Sequence, residues 1–222
     1  MSFLTRLLSA VILGPIVIAI LYFGGLPFLI FSGALMAIAL YEFWNISRHE
    51  VKKKWRLSVI VFGAIYCALA LYALIDLRLE YGFFYTGLII IGVWASDIGA
   101  YIFGRLIGGR KLAPSVSPNK TISGLLGACI FPALILDNYM MFFIQNTDPT
   151  LVLKWSLIAA VIIGLIGQLG DLFISVLKRR VGLKDTGKLI PGHGGVLDRI
   201  DALMLVMIVF WTLLQVKLLI WP

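Results

Sequence analysis

Apolar residues run along this chain in long continuous blocks, without the period-two alternation that a half-buried strand leaves. The blocks fall at 7–23, 26–46, 57–77, 83–106, 121–145, 151–177 and 198–220. Each approaches or exceeds the ~20 residues that a helix needs to cross ~30 Å of hydrocarbon. Inside lipid the backbone must satisfy its own polar groups, which leaves helices or a closed barrel, and continuous apolar runs select helices. The pattern therefore predicts an all-α polytopic integral membrane protein with about seven transmembrane helices. The first block follows Arg6 as a signal peptide would. No small-x-small cleavage site comes after it, however, and apolar residues resume at Leu26, so it reads as a retained span. Only the connections 107–120 and 178–197 are much longer than a turn. Residues 1–82 form a first group of spans, and residues 83–222 form a core that carries both long loops.

Composition removes the soluble alternatives. Of the 222 residues, 61% are hydrophobic and 14% charged, against about 45–50% and about 25% in soluble domains. All but three of the 19 Lys and Arg (Arg78, Lys154 and Lys217) fall at the N-terminus or in and beside the connections 47–56, 105–120 and 178–199. Seven spans place those connections on one side, which the positive-inside rule makes cytoplasmic. The expected location is a bacterial inner membrane, with the N-terminus inside. The net charge of +8 then reads as topology plus an anionic ligand, and no nucleic acid is expected. Trp44, Trp55, Trp155 and Trp221 sit near span ends as interfacial anchors. Cys67 and Cys129 lie in apolar runs as small hydrophobes. With only His49 and His193 to add, no zinc site is available.

Chemistry concentrates between Gly167 and Asp201, in GQLGDLFISVLKRRVGLKDTGKLIPGHGGVLDRID. A carboxylate within a span raises the insertion free energy by ~2.5–3.5 kcal/mol and is functional by default. Asp171 lies about 10 Å below the cytoplasmic end of its helix and shares a face with Ser175 and with Lys178 or Arg179. Asp198 and Asp201, three residues apart, face the same way at the start of the last span, so two helices present carboxylates to each other. Oxygen ligands without useful His or Cys suit Mg²⁺, which takes one or two carboxylates plus substrate phosphates. Gly192, Gly194 and Gly195 would let backbone N–H groups approach an anion. Lys184, Lys188 and Arg199 would supply charge, and His193 a donor. Against this, Asp198 could simply cap its helix, and the basic run could be topological alone. Gly182 to Lys188 imitates the start of a Walker loop, but Leu189 stands where Ser or Thr must bind Mg²⁺.

Two further segments carry polar groups. In SPNKTISG, Ser117, Lys120 and Thr121 could hold phosphates at a helix N-terminus. Taken alone, the segment reads more simply as a turn with Thr121 as N-cap. In WASDIGAYIFGR the small residues Gly92, Ser96, Ala100 and Gly104 form a packing ridge. Asp97, Tyr101 and Arg105 form a polar stripe beside it. Asp97, roughly 12 Å below Arg105, is expected to face a cavity, with a buried ion pair as the competing reading. Glu42 and Asp137, closer to span ends, are expected to snorkel to an interface.

At this point the chain resembles the phosphatidate cytidylyltransferases. The family signature, S-x-x-K-R, then K-D, then P-x-H-G-G-x-x-D-R-x-D, is met by Ser175, Lys178, Arg179, Lys184, Asp185, Pro191, His193, Gly194, Gly195, Asp198, Arg199 and Asp201. WASDIGAYIFGR, KLAPSVSPNKTISG and GQLGDL are similar to that family's segments and stand in its order, so the likeness covers about 92–201. It implies condensation of CTP with phosphatidate to CDP-diacylglycerol, releasing pyrophosphate. It further implies that Asp171 and Asp198 hold Mg²⁺, with a second cation and a homodimer left open. From the residues themselves, Lys178, Arg199 and Asp201 are expected to join the catalytic group. Ser117, Lys120, Thr121, Arg179, Lys184, Lys188, His193, Gly194, Gly195 and Asp97 would handle the substrates. The chain departs from the pattern at Ile174, Asn119 and Ser123, and some N-terminal spans of the family are expected to be missing. Rival readings are an ion-coupled transporter, a CDP-alcohol phosphotransferase, a cytidylyltransferase for another lipid phosphate, and a CTP-dependent lipid kinase. The transporter lacks repeat symmetry here, and the phosphotransferase lacks its D-G-x-x-A-R motif.

Overall fold

The structure, a computed structural model, describes residues 3–187, 189 and 194–216, with side chains from residue 12 onward. Among these residues there are seven helices, in the predicted order. They are α1 (Phe3–Phe23), α2 (Gly25–Arg48), α3 (Lys53–Glu80), α4 (Gly82–Leu106), α5 (Ile122–Phe143), α6 (Pro149–Arg180) and α7 (Leu197–Gln215). The five from α2 to α6 are long and apolar enough to cross a membrane. α7 opens with Asp198, Arg199 and Asp201, so its charge is confined to its first turns. The chain is a polytopic all-α membrane protein.

Two local features differ from the sequence expectation. α3 and α6 run past their apolar blocks, taking in Lys53, Lys54 and Arg56 at one end and Lys178, Arg179 and Arg180 at the other. Lys and Arg are good helix formers, and apolar blocks mark only the lipid-length part of a helix. The 107–120 connection, where SPNKTISG read most simply as a turn, contains an antiparallel hairpin, β1 (Lys111–Ala113) with β2 (Ser117–Thr121). Strands this short, one of them holding Pro118, leave no alternating pattern to read.

Lipid gives helices no hydrophobic reason to prefer each other, so association rests on close contact between small residues. A Cβ at Gly99 of α4 would overlap the Gly127 carbonyl oxygen of α5, and one at Gly127 would lie 2.5 Å from the Gly99 oxygen. The predicted ridge takes part on either side of this point. Gly92 meets Ile163 of α6, while Ala100 and Gly104 meet Gly124 of α5. Gly164 brings α6 against the Ala128 carbonyl of α5, and Gly170 brings it against the Asp201 carbonyl of α7. α4, α5, α6 and α7 thus approach backbone to backbone.

The connections 49–52 and 107–121 and the described part of 181–196 meet at one end of the bundle. Arg180 donates to Glu50 Oε2 at 2.9 Å and lies 4.0 Å from the Trp55 ring centre. Arg179 donates to the Val116 carbonyl in the hairpin turn. Beneath these connections a cluster of Phe43, Ile46, Ile174, Leu197, Ile200 and Met204 seals the interior. At the opposite end Arg78 donates to the carbonyls of Leu21 and Tyr22, closing the sharp α1–α2 turn at Gly24.

The Gly170 contact yields a matched test. A Cβ there would sit 2.7 Å from the Asp201 backbone oxygen, whereas one at Gly167 would make only ordinary contacts at 3.7 Å. Gly170→Ala should therefore destabilise the detergent-solubilised protein by about 1–3 kcal/mol, and Gly167→Ala should leave it unchanged. Thermal unfolding of the two variants checks this, and equal midpoints would refute the close α6–α7 contact.

Candidate active site

α6 places Asp171, Ser175 and Lys178 along one face, as their spacing requires. Ser175 Oγ donates to Asp171 Oδ1 at 3.1 Å. The hairpin delivers a partner from a distant part of the chain: Lys120, in β2, has Nζ 2.7 Å from Asp171 Oδ2. This contact is an ion pair by distance but lacks hydrogen-bond direction. The Lys120 ammonium is enclosed and has no hydrogen-bond partner. An enclosed ammonium with unused donors is poised for an anion.

Two more carboxylates surround this pair. Asp97 of α4 lies within electrostatic reach of Asp171, Lys120 and Arg199, and Asp201 of α7 within reach of Asp171, Lys178 and Asp97. Asp201 is buried, with Oδ1 accepting from the Ala202 N–H at 2.7 Å. Asp97 is exposed in α4. Three helices thus bring carboxylates together, and the Gly170 contact sets how near α7 comes to α6.

Asp198 is used differently. Its Oδ1 accepts from Lys178 Nζ at 2.6 Å, and both side chains are buried. Its Oδ2 accepts from Thr186 N at 2.8 Å and Gly195 N at 3.1 Å, and Thr186 Oγ1 lies 3.0 Å away. Asp198 therefore spends its oxygens on Lys178 and on the connection that precedes α7. Lys178 likewise faces Asp198, the buried member of the basic run.

Glu42 overturns the expectation made for it. Instead of snorkelling to an interface it is buried, 2% exposed. Its Oε1 accepts from Val196 N at 2.9 Å, and Oε2 accepts from Leu197 N at 2.8 Å and Thr186 Oγ1 at 2.5 Å. These donors lie across the bundle, so burial inside protein replaces the route to water. Asp137 also does not reach an interface with both oxygens, because its Oδ1 is enclosed without a hydrogen-bond partner. The intramembrane-carboxylate rule that singled out Asp171 applied equally to Glu42. Its nearness to the span end hid it.

The glycines of the connection close on these same carboxylates. A Cβ at Gly195 would overlap Thr186 Oγ1 and lie 2.5 Å from Glu42 Oε2. Gly194 has φ +82°, and a Cβ there would lie 3.1 Å from Asp198 Oδ2. The anions that Gly194 and Gly195 approach are thus the protein's own.

The remaining predicted residues separate into groups. Thr121 is buried and caps α5, its Oγ1 accepting from Gly124 N at 3.1 Å, the simpler of its two readings. Ser117 is half-buried in β2, and Lys184 is exposed in the 181–196 connection. Arg179 ties that connection to the hairpin, donating to the carbonyls of Val116 and Leu183. Arg199 is exposed at the start of α7, within the field of Asp97. Lys188 and His193 lie outside the described residues.

Among the described residues no three His, Cys, Asp or Glu side chains converge closely enough to hold a metal ion by themselves. Mg²⁺ asks for less, one or two carboxylates completed by waters and substrate phosphates. Asp171, partly accessible and held by one hydroxyl and one loosely directed ammonium, fits that demand. Asp198 would have to exchange a bond to Lys178, Thr186 or Gly195 to join it.

Known proteins bear on this geometry. A protein of Staphylococcus saprophyticus named phosphatidate cytidylyltransferase is 47% identical over 126 residues, 57% of this chain and 47% of its own length. One of Bacillus subtilis with the same name is 39% identical over 150 residues, 67% of this chain and 54% of its own. Another, of Staphylococcus aureus, is 47% identical over 116 residues, 52% of this chain and 43% of its own. The chain spans about half the length of these relatives. A sequence model described as the cytidylyltransferase family matches residues 45–217, which takes in the hairpin, Asp97, Asp171, Lys178 and the start of α7. By that match the chain belongs to the cytidylyltransferase family.

Proposed function

We propose that this chain transfers a cytidylyl group from CTP to phosphatidate, forming CDP-diacylglycerol at the cytoplasmic face of a bacterial inner membrane. The observation that carries the reading is the enclosed, underused Lys120 ammonium beside Asp171, with Asp97 and Asp201 in the same field. Relatives named phosphatidate cytidylyltransferase supply the substrates.

A phosphate oxygen of phosphatidate attacks the α-phosphorus of CTP. The new P–O bond forms as the bond from the α-phosphorus to its bridging oxygen breaks, and pyrophosphate leaves with the electron pair. Lys120 would turn its donors to a phosphate oxygen, where charge-assisted bonds in a water-poor site stabilise the developing charge. Arg199, exposed at the start of α7, would add charge, and Asp97 and Asp201 would limit how anionic ligands sit. Asp171 would hold Mg²⁺, which would supply positive charge against the substrate phosphates. Lys178 and Asp198 would keep the α6 and α7 ends in register. The acyl chains stay in lipid while the headgroup reaches the polar end of the bundle, so positioning is the other large contribution.

Two experiments test this reading. With CTP labelled at the α-phosphorus, label should appear in a chloroform-extractable lipid that also carries the cytosine chromophore, while γ-label should leave as pyrophosphate. Label from the γ position in lipid, with CDP in solution, would make the protein a lipid kinase. In the same assay Asp171→Asn should lower turnover by at least ~10²-fold, the usual scale for losing a charge-stabilising group, at unchanged protein level.

The orientation rests on the basic connections gathered at one end. Single cysteines placed at 182–185 should react with an impermeant thiol reagent only from the cytoplasmic side. Labelling of intact cells from outside would reverse the assignment.

A further inference from the structure

We infer that Glu42 is a positioning residue of this site: from α2 it fixes the N-terminus of α7 and, through Thr186, the carboxylate of Asp198. The inference rests on the cytidylyl-transfer reading and goes beyond it, since residue 42 precedes the 45–217 segment that carries the family pattern.

A helix leaves its first N–H groups without partners inside the helix. α7 begins after Val196, a residue with no side-chain oxygen to cap it. Glu42 takes the place of the cap from across the bundle, accepting from Val196 N and Leu197 N. Its negative charge also lies at the positive end of the α7 dipole. Its chain neighbour Phe43 and the α7 residues Leu197 and Ile200 belong to one apolar cluster. A buried carboxylate among such residues is unfavourable unless its acceptors are filled, and here they are.

Thr186 carries the constraint onward. Its hydroxyl has one proton, donated to Glu42 Oε2 across 2.5 Å between the oxygens, while its amide donates to Asp198 Oδ2 at 2.8 Å. Thr186 is fully buried, and Gly187 and Gly195 leave room for Glu42 only because neither has a Cβ. Glu42, Thr186, Asp198 and Lys178 thus form one buried chain linking α2, the 181–196 connection, α7 and α6. Asp201 lies one turn further along α7. Any shift of the α7 N-terminus moves Asp198, Arg199 and Asp201 together against Asp171 and Lys120.

The test uses the full chain in detergent, with kcat, the KM for CTP, thermal midpoint, and the rate of trypsin cleavage after the exposed Lys184. Glu42→Gln keeps size but turns an NH₂ toward groups that are all donors. It should lower kcat by about 10- to 100-fold, the scale of a ~1 Å misplacement, with the CTP KM changed less than about threefold. Trypsin should cut several-fold faster. Thr186→Val should reproduce both effects, and Thr186→Ser, which keeps hydroxyl and amide, should restore both. The Glu42→Gln/Thr186→Val double variant should be less impaired than the product of the single effects, because one chain of contacts is broken twice.

Wild-type kcat in folded Glu42→Gln would overturn the inference, as would lost kcat with an unchanged cleavage rate. If Glu42→Gln does not fold, wild-type kcat and cleavage in Thr186→Val would overturn it too. A wild-type chain that transfers no cytidylyl group would count against the reading of function. The trypsin arm needs no turnover and would still decide on Glu42.

Discussion

Charge buried within a membrane bundle must find its partners in protein, because lipid offers none. The end of this bundle where the long connections meet gathers Glu42, Asp97, Asp171, Asp198 and Asp201, and its architecture follows from how each is answered. Glu42 and Asp198 are answered completely, by backbone N–H groups, the Thr186 hydroxyl and Lys178. Asp171 is answered incompletely, by one hydroxyl and by an ammonium that is close but poorly directed. The saturated carboxylates hold helices together. Asp171 has coordination capacity left, and Asp97 and Asp201 add negative charge around it.

That division depends on backbone packing some distance away. Gly99 with Gly127, Gly164 with Ala128, and Gly170 with Asp201 draw α4 to α7 into contacts that no side chain could occupy. Only at such spacing do carboxylates from three helices share one field. The hairpin has a comparable effect on the basic side. Its second strand ends in the Thr121 cap of α5, which fixes the strand, and Lys120 is therefore held over α6 rather than trailing in a loop. Arg179 fastens the hairpin turn to the end of α6. A residue of the basic run expected to meet substrate is thus engaged in bracing the loop that carries another.

Much of this was legible in the chain because two rules act locally. Lipid length sets the apolar blocks, and all seven appear as helices. An intramembrane carboxylate announces itself, as Asp171 and Asp97 did, and the small-residue ridge of α4 announced its packing. What stayed hidden depends on contacts between distant positions. Nothing near Glu42 in sequence indicates Val196 and Leu197, more than 150 residues away. The glycines at 194 and 195 announce close approach to an anion, but sequence cannot say whose anion. The roles of Lys178 and Arg179 could not be told apart by charge. One is buried against Asp198 and the other is turned to the hairpin.

This last distinction changes how losses of function should be read. Removing one member of a buried ion pair leaves the other uncompensated, which typically costs about 3–5 kcal/mol. Asp198→Asn would strand Lys178 and also loosen two backbone donors, so an inactive Asp198 variant says nothing by itself about a metal. Asp171 is different. It is partly accessible, and its ion pair with Lys120 is not fully hydrogen-bonded, so neutralising it breaks fewer of the contacts that hold helices together. Asp198, with the most bonds, is thus the poorest witness to chemistry, and the loss of Asp171 bears more directly on ligand binding.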